Sequence, residues 1–232
     1  QNDNFFDYAV GTSSGSLSPR TSWKHLSAYQ LRIPKEKEIQ EKFYLQLLTL
    51  EDGLNKKKQL IQSTKYYKEK LTQLLFTKGI GHSEFKKTGL GDIPIEWEVK
   101  SINDISILVT NGFVGTASPY YTDQDKGIPY LMSNNVRANR IDRRELKYVN
   151  QEFATSYPKS KILQGDMLTV QSGHIGTSCV VPKDFHATNC HALIITRFIK
   201  EKVDPNFIAY YLNSSIGIRR LSKIFVGTTI KH

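Results

Sequence analysis

The stretch DIPIEWEVK contains the residues of this sequence that come nearest to a catalytic set. Asp92, Glu98 and Lys100 lie close together, and two carboxylates with a lysine can bind Mg²⁺ and stabilise negative charge during phosphodiester hydrolysis. In nucleases of this kind the Glu-x-Lys pair lies on a strand and the aspartate comes from an earlier strand or turn. Here the aspartate stands only six positions before Glu98 and a proline lies between them, which leaves no room for a hairpin. We therefore expect Gly91–Pro94 to turn, Trp97 to anchor in the core and a strand to follow, and we keep a nuclease only as an alternative.

A loose group of thiols and imidazoles suggests a zinc site. Its spacings match no standard structural zinc site, and alternation along strands would scatter the side chains over both faces of a sheet. The plainer interpretation is two buried cysteines and exposed histidines, with no metal. Two cysteines without a CxxC motif make no disulfide framework, which favours a reducing cytoplasm. The group comprises His174, Cys179, His186, Cys190 and His191.

Nucleotide and methyl-transfer motifs are incomplete. NGFVG lacks the Rossmann spacing, and GHIGTS lacks the lysine of a P-loop. SPYY lacks the asparagine of the Asn-Pro-Pro-Tyr motif of amino-methyltransferases. We therefore expect no catalytic residues and no cofactor.

Three polar loops carry side chains that suit nucleic-acid binding: TNGFVGTASPYYTD, SNNVRANRIDRREL (which also contains Asn139 and Arg144) and QSGHIGTS. Asparagine and arginine make bidentate contacts with adenine and guanine edges, and arginine and lysine bind phosphates. Each loop alone is equally well explained as a solvated loop, but three on one domain favour DNA. The candidates for reading bases are Thr116, Ser118, Tyr120, Asn134, Asn135, Arg137, Gln171, Ser172 and His174. The candidates for binding phosphates are Arg140, Arg143, Arg219, Arg220, Lys223 and Lys231.

The charge balance supports a polyanionic partner. The 232 residues include 32 Lys+Arg and 22 Asp+Glu, a formal net charge of +10. No apolar run approaches the length of a membrane span, so we expect no membrane partner. The first residues, QNDNFFDYAV, contain neither a methionine nor a basic segment, and we expect neither a signal peptide nor a natural start.

The candidate loops are preceded by a long predicted helix. After Pro34 the chain is free of proline for many residues and rich in Glu, Lys, Gln and Leu, which are good helix formers. Gly79 and Gly81 end this stretch. Apolar residues recur at alternating steps of three and four, a heptad seam that requires a second helix to cover it. The helix-pairing residues are Phe43, Leu47, Leu50, Leu54, Ile61, Leu71 and Leu75, with Lys57, Thr64 and Lys68 weakening the middle of the seam.

Beyond Lys86, short β-like runs alternate with Gly, Pro and Asn: ISILVT, IPYLMS, DMLTVQSG, TSCVVP and ALIITRFI. The run DPNFIAYYLNSSIGIRRLSKIF predicts one or two helices. We predict an α+β fold, a mixed α/β domain joined to a long coiled-coil-type helix. The expected division is a tail at 1–34, the helix at 35–80 and a DNA-recognition domain at 88–232.

A weak internal repeat indicates that the chain is cut from a longer protein. AVGT and TSWKH near the start are echoed by FVGT and TTIKH at the end. The two ends therefore correspond to the same point in successive repeats, out of phase with the domain boundary.

The ordered set GLGDIPIEWEVKSINDI, KGIPYLMSNNV, ILQGDMLTVQSGHIGTSCVV, VDPNFIAYYLNS and FVGTTIKH resembles the specificity subunits of type I restriction-modification systems. The stretch from GTSSGS to EIQEKF resembles the end of one target recognition domain running into a spacer helix. The resemblance covers nearly the whole chain and implies a non-catalytic reader of double-stranded DNA. Such a subunit reads a split site with two recognition domains and docks methyltransferase and restriction subunits.

The resemblance also implies antiparallel pairing of the long helices, with a second copy or a second repeat. We predict that two of these chains pair head to tail. The alternatives are a recognition module of a fused restriction-methyltransferase, a Mg²⁺-dependent nuclease and a coiled-coil adaptor without affinity for DNA.

Overall fold

The structure is a computed structural model that describes residues 3–13, 20–185 and 189–223, and the chain divides into two compact units, Gln1–Ser63 and Thr64–His232. The helices of the first unit are α1 (Asp3–Gly11), α2 (Trp23–Leu26) and the first part of α3 (Lys37–Lys78). The ring of Tyr29 packs on Phe5 and Tyr8, with centroids 5.2 and 5.0 Å away. The Tyr8 hydroxyl donates to the carbonyl of His25, 2.8 Å away, which links α1 to α2. Trp23 remains 80% exposed.

Helix α3 confirms the predicted long helix. It runs over 42 residues, and none of its side chains is buried. Two exposed ion pairs at i,i+4 spacing, Lys37–Glu41 and Asp52–Lys56, contribute only a few tenths of a kcal/mol each. Leu75 is half-buried, whereas the other seam residues are 55–64% exposed: Phe43, Leu47, Leu50, Leu54, Ile61 and Leu71. An apolar stripe this exposed is stable only when another surface covers it.

A hairpin follows the helix and corrects one sequence prediction. Strand β1 (Phe85–Thr88) pairs antiparallel with strand β2 (Gly91–Pro94), where a turn was expected. The proline stands at the end of a two-stranded sheet, where its missing N–H breaks no ladder. Trp97 is half-buried against the ring of His82, with centroids 6.0 Å apart, and the strand expected directly after it begins only at Ser106.

The remaining strands form two sheets and a small hairpin. They are β3 (Ser106–Asn111), β4 (Ile128–Leu131), β5 (Val136–Arg137), β6 (Arg140–Ile141), β7 (Lys147–Val149), β8 (Met167–Val170), β9 (Ser178–Val180), β10 (Asn189–Cys190) and β11 (Leu193–Phe198). The larger sheet has the order β3-β11-β8-β9 and is antiparallel throughout. The smaller has the order β10-β4-β7, with β10 and β4 parallel, and β5 pairs with β6. The five predicted β runs contain β3, β4, β8, β9 and β11, so the mixed α+β prediction is confirmed.

The described residues of the second unit also form the helices α4 (Gln151–Ser156), α5 (Pro205–Leu212) and α6 (Ser215–Leu221). Their N-caps are Asn150, Asp204 and Ser214, each of which accepts a hydrogen bond from a backbone N–H of the first turn. The predicted C-terminal helical stretch is thus two helices, broken at the turn Asn213–Ser214. Short 3₁₀ turns occur at 103–105, 118–120, 133–135 and 158–160.

Three groups of buried side chains hold the second unit together. One lies on the inner face of the larger sheet and includes Leu168, Leu193 and Ile195, all fully buried. A second is aromatic and centres on Phe153. A third, around Met167, packs helix α5 on the other face of the sheet. Strands β8 and β11 are therefore covered on both faces, whereas β3 is exposed at Ile107, Leu108 and Val109.

Candidate nucleic-acid interface

Three loops leave the same edge of the two sheets. Antiparallel pairing with β11 places the last residues of β3 and β8, Asn111 and Val170, beside the first residues of β11. Parallel pairing with β10 brings the end of β4, Leu131, to the same edge, because β11 follows β10 after only two residues. The segments that emerge there are 112–121, 132–144 and 171–177, and we call them together the loop rim.

Backbone bonds and aromatic packing fix the first rim segment. The N–H of Phe113 donates to the carbonyl of Cys190 (2.8 Å), and the carbonyl of Phe113 accepts from the N–H of Ala192 (3.0 Å). Its ring stands edge-on to fully buried Phe153, with centroids 5.0 Å apart. This loop is thus anchored at its start by the aromatic cluster.

The candidate residues of this segment divide into two kinds. Thr116 and Ser118 are exposed, so their hydroxyls can meet a ligand. Tyr120 is half-buried, with its ring 5.3 Å from that of Phe153. A hydrogen bond with Tyr157 raises the pKa of the Tyr120 hydroxyl above its ordinary value. Tyr120 therefore belongs mainly to the support of the loop.

Asn135 is not available to read a base. Its side chain is 1% exposed, and its oxygen accepts from the N–H of Met132 at 3.0 Å. Its amide nitrogen donates to the carbonyls of Asp142 and Arg144, both at 3.2 Å. All of its strong hydrogen-bonding directions are used within the segment, so we remove it from the base-reading candidates. The neighbouring Asn134 is exposed and stays among them.

The hairpin β5–β6 presents two arginines side by side. Arg137 and Arg140 are directly paired across the two strands. The turn between them contains Asn139 in the left-handed region (φ 62°), whose N–H donates to the carbonyl of Ser178 at 2.9 Å. The side-chain amide of Asn213 donates to Asn139 Oδ1 and to the Ser178 carbonyl, both at 2.8 Å. The tip of the hairpin is therefore locked to strand β9 and to the end of helix α5.

Two further arginines follow the hairpin in different settings. Arg143 donates to exposed Asp184 at 2.7 Å, and its guanidinium lies 5.4 Å from the centroid of the Phe185 ring. Arg144 makes two bonds to the buried carboxylate of Asp142. These bonds hold the pKa of Asp142 well below its usual range, so the carboxylate is ionised at neutral pH.

The third rim segment is a tight connection between β8 and β9. Gln171 and Ser172 are half-buried, and His174 is exposed. Gly176 has a φ of 85°, and a Cβ built on it would lie 2.6 Å from Leu221 Cδ1. A glycine suits both this left-handed backbone conformation and the close approach of Leu221. The side chain of Leu221 therefore packs helix α6 against this loop.

His191 is a rim residue that the sequence interpretation considered only as a zinc ligand. Its backbone N–H donates to the carbonyl of Leu131 at 2.7 Å, and its ring Nδ1 lies 3.1 Å from the hydroxyl of Tyr130. Half-buried, it stands where the ends of β4 and β10 meet the first rim segment. Its position immediately before the run ALIITRFI was the available signal, because residues at strand starts collect at sheet edges.

The candidate phosphate-binding residues at helix α6 fall into exposed and internally bonded side chains. Arg219 and Lys223 are exposed. Arg220 instead donates to the hydroxyl of Tyr211 at 2.8 Å and to the carbonyl of Leu90, which ties the helix to the β1–β2 hairpin. We therefore correct the assignment of Arg220 from phosphate binding to an internal link. Lys231, His186 and the second copy of the repeat, FVGT with TTIKH, lie outside the described residues.

The nuclease candidates do not form a metal site. Lys100 Nζ lies 2.7 Å from Glu98 Oε2 in an exposed ion pair, which lowers the pKa of Glu98 and keeps both groups charged. Asp92 lies on β2 with its side chain exposed. Across residues 3–13, 20–185 and 189–223, no three or more His, Cys, Asp or Glu side chains are grouped to hold a metal ion.

The two cysteines are buried and unpaired with each other. Burial raises the pKa of both Cys179 and Cys190 to about 12, so at neutral pH they are protonated, apolar core residues. Of the histidines expected to be exposed, His174 is exposed, whereas His191 is half-buried. In the part of the chain that the structure describes, no helix has the length and apolar character needed to cross a bilayer.

Comparison with known proteins identifies the class. The model of the type I restriction modification DNA specificity domain matches residues 94–232, so the chain belongs to this family. It is 28% identical over 167 residues to the type I restriction enzyme MjaVIII specificity subunit of Methanocaldococcus jannaschii, covering 69% of this chain and 38% of that protein. It is 27% identical over 212 residues to the putative MjaX specificity subunit of the same organism, covering 90% and 47%.

Solved structures share the fold. One, from work on complex assembly and conformational transition of the type I R-M system, has a TM-score of 0.53 at 17% identity and covers 96% of this chain and 52% of its own. The HsdS subunit from Thermoanaerobacter tengcongensis has a TM-score of 0.50 at 16% identity, covering 98% and 55%. The chain thus spans about half the length, or less, of the relatives it matches.

Proposed function

We propose that this chain is a non-catalytic, sequence-specific DNA reader that recognises one half of a bipartite double-stranded site. The observation that carries the proposal is the loop rim, from which three polar segments emerge. One of them, 132–144, carries four arginines and extends along β9, so that Arg143 reaches Asp184 beyond the end of that strand. A half-buried Arg137 paired with an exposed Arg140 on a locked hairpin suits a groove of DNA, because arginine reads guanine edges and binds phosphates. The net charge of +10 supplies the non-specific part of the affinity.

The base-reading set that we propose is smaller than the one the sequence suggests. Asn135 is excluded because it is buried, and Tyr120 because it supports its loop. The exposed and half-buried members remain: Thr116, Ser118, Asn134, Arg137, Gln171, Ser172 and His174. Arg140, Arg143, Arg219 and Lys223 remain as phosphate candidates, all with exposed side chains.

Selection from a duplex library with a randomised centre tests this function. The full chain should enrich one short motif, and on that motif Arg137→Ala should cost about 1–3 kcal/mol of binding free energy while changing random-duplex binding much less. Arg219→Ala with Lys223→Ala should weaken both duplexes alike and reduce the salt dependence. Recovery of unrelated sequences, bound only through salt-sensitive contacts, would contradict a reading function.

We further propose that helix α3 pairs antiparallel with the same helix of a second copy, or with its counterpart in a second repeat of a longer protein. The exposed seam supplies the apolar surface. Charge supplies the direction, because residues 37–55 carry four acidic and two basic side chains, a formal charge of −2. Residues 56–78 carry seven lysines and one glutamate, a formal charge of +6. Antiparallel pairing places the acidic half beside the basic half, whereas parallel pairing places the two basic halves together.

Disulfide cross-linking tests the direction of pairing. Cysteines introduced at Glu38 of one chain and Lys78 of another should cross-link efficiently, and the native thiols do not interfere because both are buried. Efficient Glu38-to-Glu38 cross-linking, or a monomer at high concentration in light scattering, would show that the arrangement is wrong.

The wider assignment follows from family membership. We propose that the intact protein docks modification and restriction subunits in the cytoplasm, and that the chain divides into a preceding tail (1–34), a spacer helix (35–80) and a recognition domain (88–232). The alternative is a recognition module fused to a restriction-methyltransferase. Sequence upstream of Gln1 that contains a methyltransferase motif would favour the fusion.

A further inference from the structure

Asp142 is a buried carboxylate that holds two exposed guanidinium groups. Its side chain is only 8% exposed, whereas the side chain of Arg144 is 80% exposed and that of Arg137 is 43% exposed. Arg144 donates through Nε to Oδ1 at 2.8 Å and through Nη2 to Oδ2 at 2.6 Å. Arg137 Nε lies 3.7 Å from Oδ2. One fixed anion thus orients two cations whose outer ends face solvent.

The carboxylate is itself held rigidly. The N–H of Asp142 donates to the carbonyl of Asn135 at 2.7 Å, and the Asn135 side chain donates back to the carbonyl of Asp142. The N–H of Arg144 donates to Asp142 Oδ1 at 3.2 Å, which fixes the carboxylate plane as well. The neighbouring pair Arg143–Asp184 has none of this support from burial, because the Asp184 side chain is 71% exposed.

The ion pair with Asp142 leaves the terminal edge of the Arg144 guanidinium, formed by its two Nη atoms, available for another partner. A guanidinium has five N–H donors, and the pair with Asp142 uses the edge formed by Nε and Nη2. The terminal edge, with one N–H from each Nη, stays available as two parallel donors. Two parallel donors match O6 and N7 of guanine in the major groove. A guanidinium already held in place also loses less conformational entropy when it binds.

We propose that Arg144 reads a base edge and that Asp142 is the positioning residue that aims Arg144 and Arg137. This inference rests on the proposed DNA-reading function. It adds Asp142, which would contact no DNA itself and would act through the two arginines. The same bonds lower the pKa of Asp142 and therefore also stabilise the fold at neutral pH, so the tests below include comparisons that separate positioning from stability.

The test compares the motif duplex enriched by selection with a scrambled duplex of the same composition. Asp142→Asn keeps the size of the side chain and removes its charge. It should lower affinity for the motif duplex at least about fivefold and affinity for the scrambled duplex less than about twofold. Asp184→Asn is the matched control, and it should leave the motif-to-scrambled ratio unchanged.

A double-mutant comparison separates positioning from general damage. If Asp142 acts through the arginines, Asp142→Asn should add no further loss of discrimination in a chain that already carries Arg137→Ala and Arg144→Ala. Equal losses on both duplexes, or a full additional loss in that background, would overturn the proposal.

Arg144→Lys provides a readout that does not depend on how Asp142→Asn folds. Lysine keeps the positive charge but lacks the two parallel N–H donors of the guanidinium. The ratio of motif to scrambled affinity should therefore fall, while affinity for the scrambled duplex stays the same. An unchanged ratio would overturn the role of Arg144. If the unmodified chain itself shows no preference among duplexes, the proposed function fails first, which is a distinct result.

Discussion

Replacing Asn135 with alanine should destabilise the second unit, and because Asn135 also holds the segment that carries Asp142, any loss of DNA discrimination should accompany that loss of stability. The side chain makes three hydrogen bonds, to the N–H of Met132 and to the carbonyls of Asp142 and Arg144. Each bond contributes about 1 kcal/mol net, and buried groups left without a partner cost at least as much. The expected loss is therefore about 3 kcal/mol of the free energy of unfolding.

For a chain of this size a loss of that magnitude lowers Tm by about 6–12 °C. Thermal melting followed by far-UV circular dichroism measures this shift, and urea titration gives the free energy independently. Asn134→Ala is the matched control: its side chain is exposed, and a change within about 0.5 kcal/mol is expected.

Asn135→Asp sharpens the comparison, because it has the same shape but replaces the donating amide by an acceptor facing two carbonyl oxygens. It should cost at least as much as alanine. A Tm for Asn135→Ala that equals that of wild type, together with a lower preference for the motif duplex, would refute the structural role and restore Asn135 as a base reader.

Three further outcomes are expected. Gly217→Ala should destabilise the fold by about 2 kcal/mol or more, because the new Cβ would lie 2.2 Å from the carbonyl oxygen of Tyr211; Gly53→Ala, with nothing within 4 Å, should be neutral or stabilising, and equal melting temperatures would contradict this contrast. Cys179 and Cys190 should resist iodoacetamide at pH 8 in the native protein, since their pKa of about 12 keeps them protonated, and should react once urea unfolds it; rapid native alkylation would show that they are accessible. Arg220→Ala should lower stability by about 1–2 kcal/mol through its lost bonds to Tyr211 and Leu90, and should leave the salt dependence of DNA binding unchanged; a smaller salt slope would restore it as a phosphate contact.

Periodicity and composition were sufficient for the main elements. Helix α3 is long, free of proline and striped with apolar residues, so its existence follows from local propensity. The β runs that contain β8 and β11 are apolar enough to require burial whatever they pack against, whereas the apolar run of β3 stays largely exposed. The short strands β5, β6, β7 and β10 are two or three residues long and carry no periodic signal, so only long-range pairing defines them.

The roles of individual polar residues could not be predicted from the sequence. Asn135 and Asn134 are adjacent and identical, yet one is buried and the other is exposed. Arg219 and Arg220 differ in the same way, because one helical position faces solvent and the next faces the β1–β2 hairpin. Residue type shows which hydrogen bonds and ion pairs a side chain can make. Tertiary contacts decide whether those bonds are already made within the protein. Asp142 illustrates the converse, since an isolated acidic residue in a basic loop gave no sign of its two arginine partners.

The central claim is that the loop rim distinguishes one DNA sequence from another. The most direct measurement is the ratio of equilibrium affinities of the full chain for the selected motif duplex and for its scrambled counterpart, at one fixed salt concentration. We expect a ratio of about ten or more, which falls toward one when Arg137 and Arg144 are both replaced by alanine. A ratio of one for the unmodified chain, or a ratio unaffected by those replacements, would contradict it.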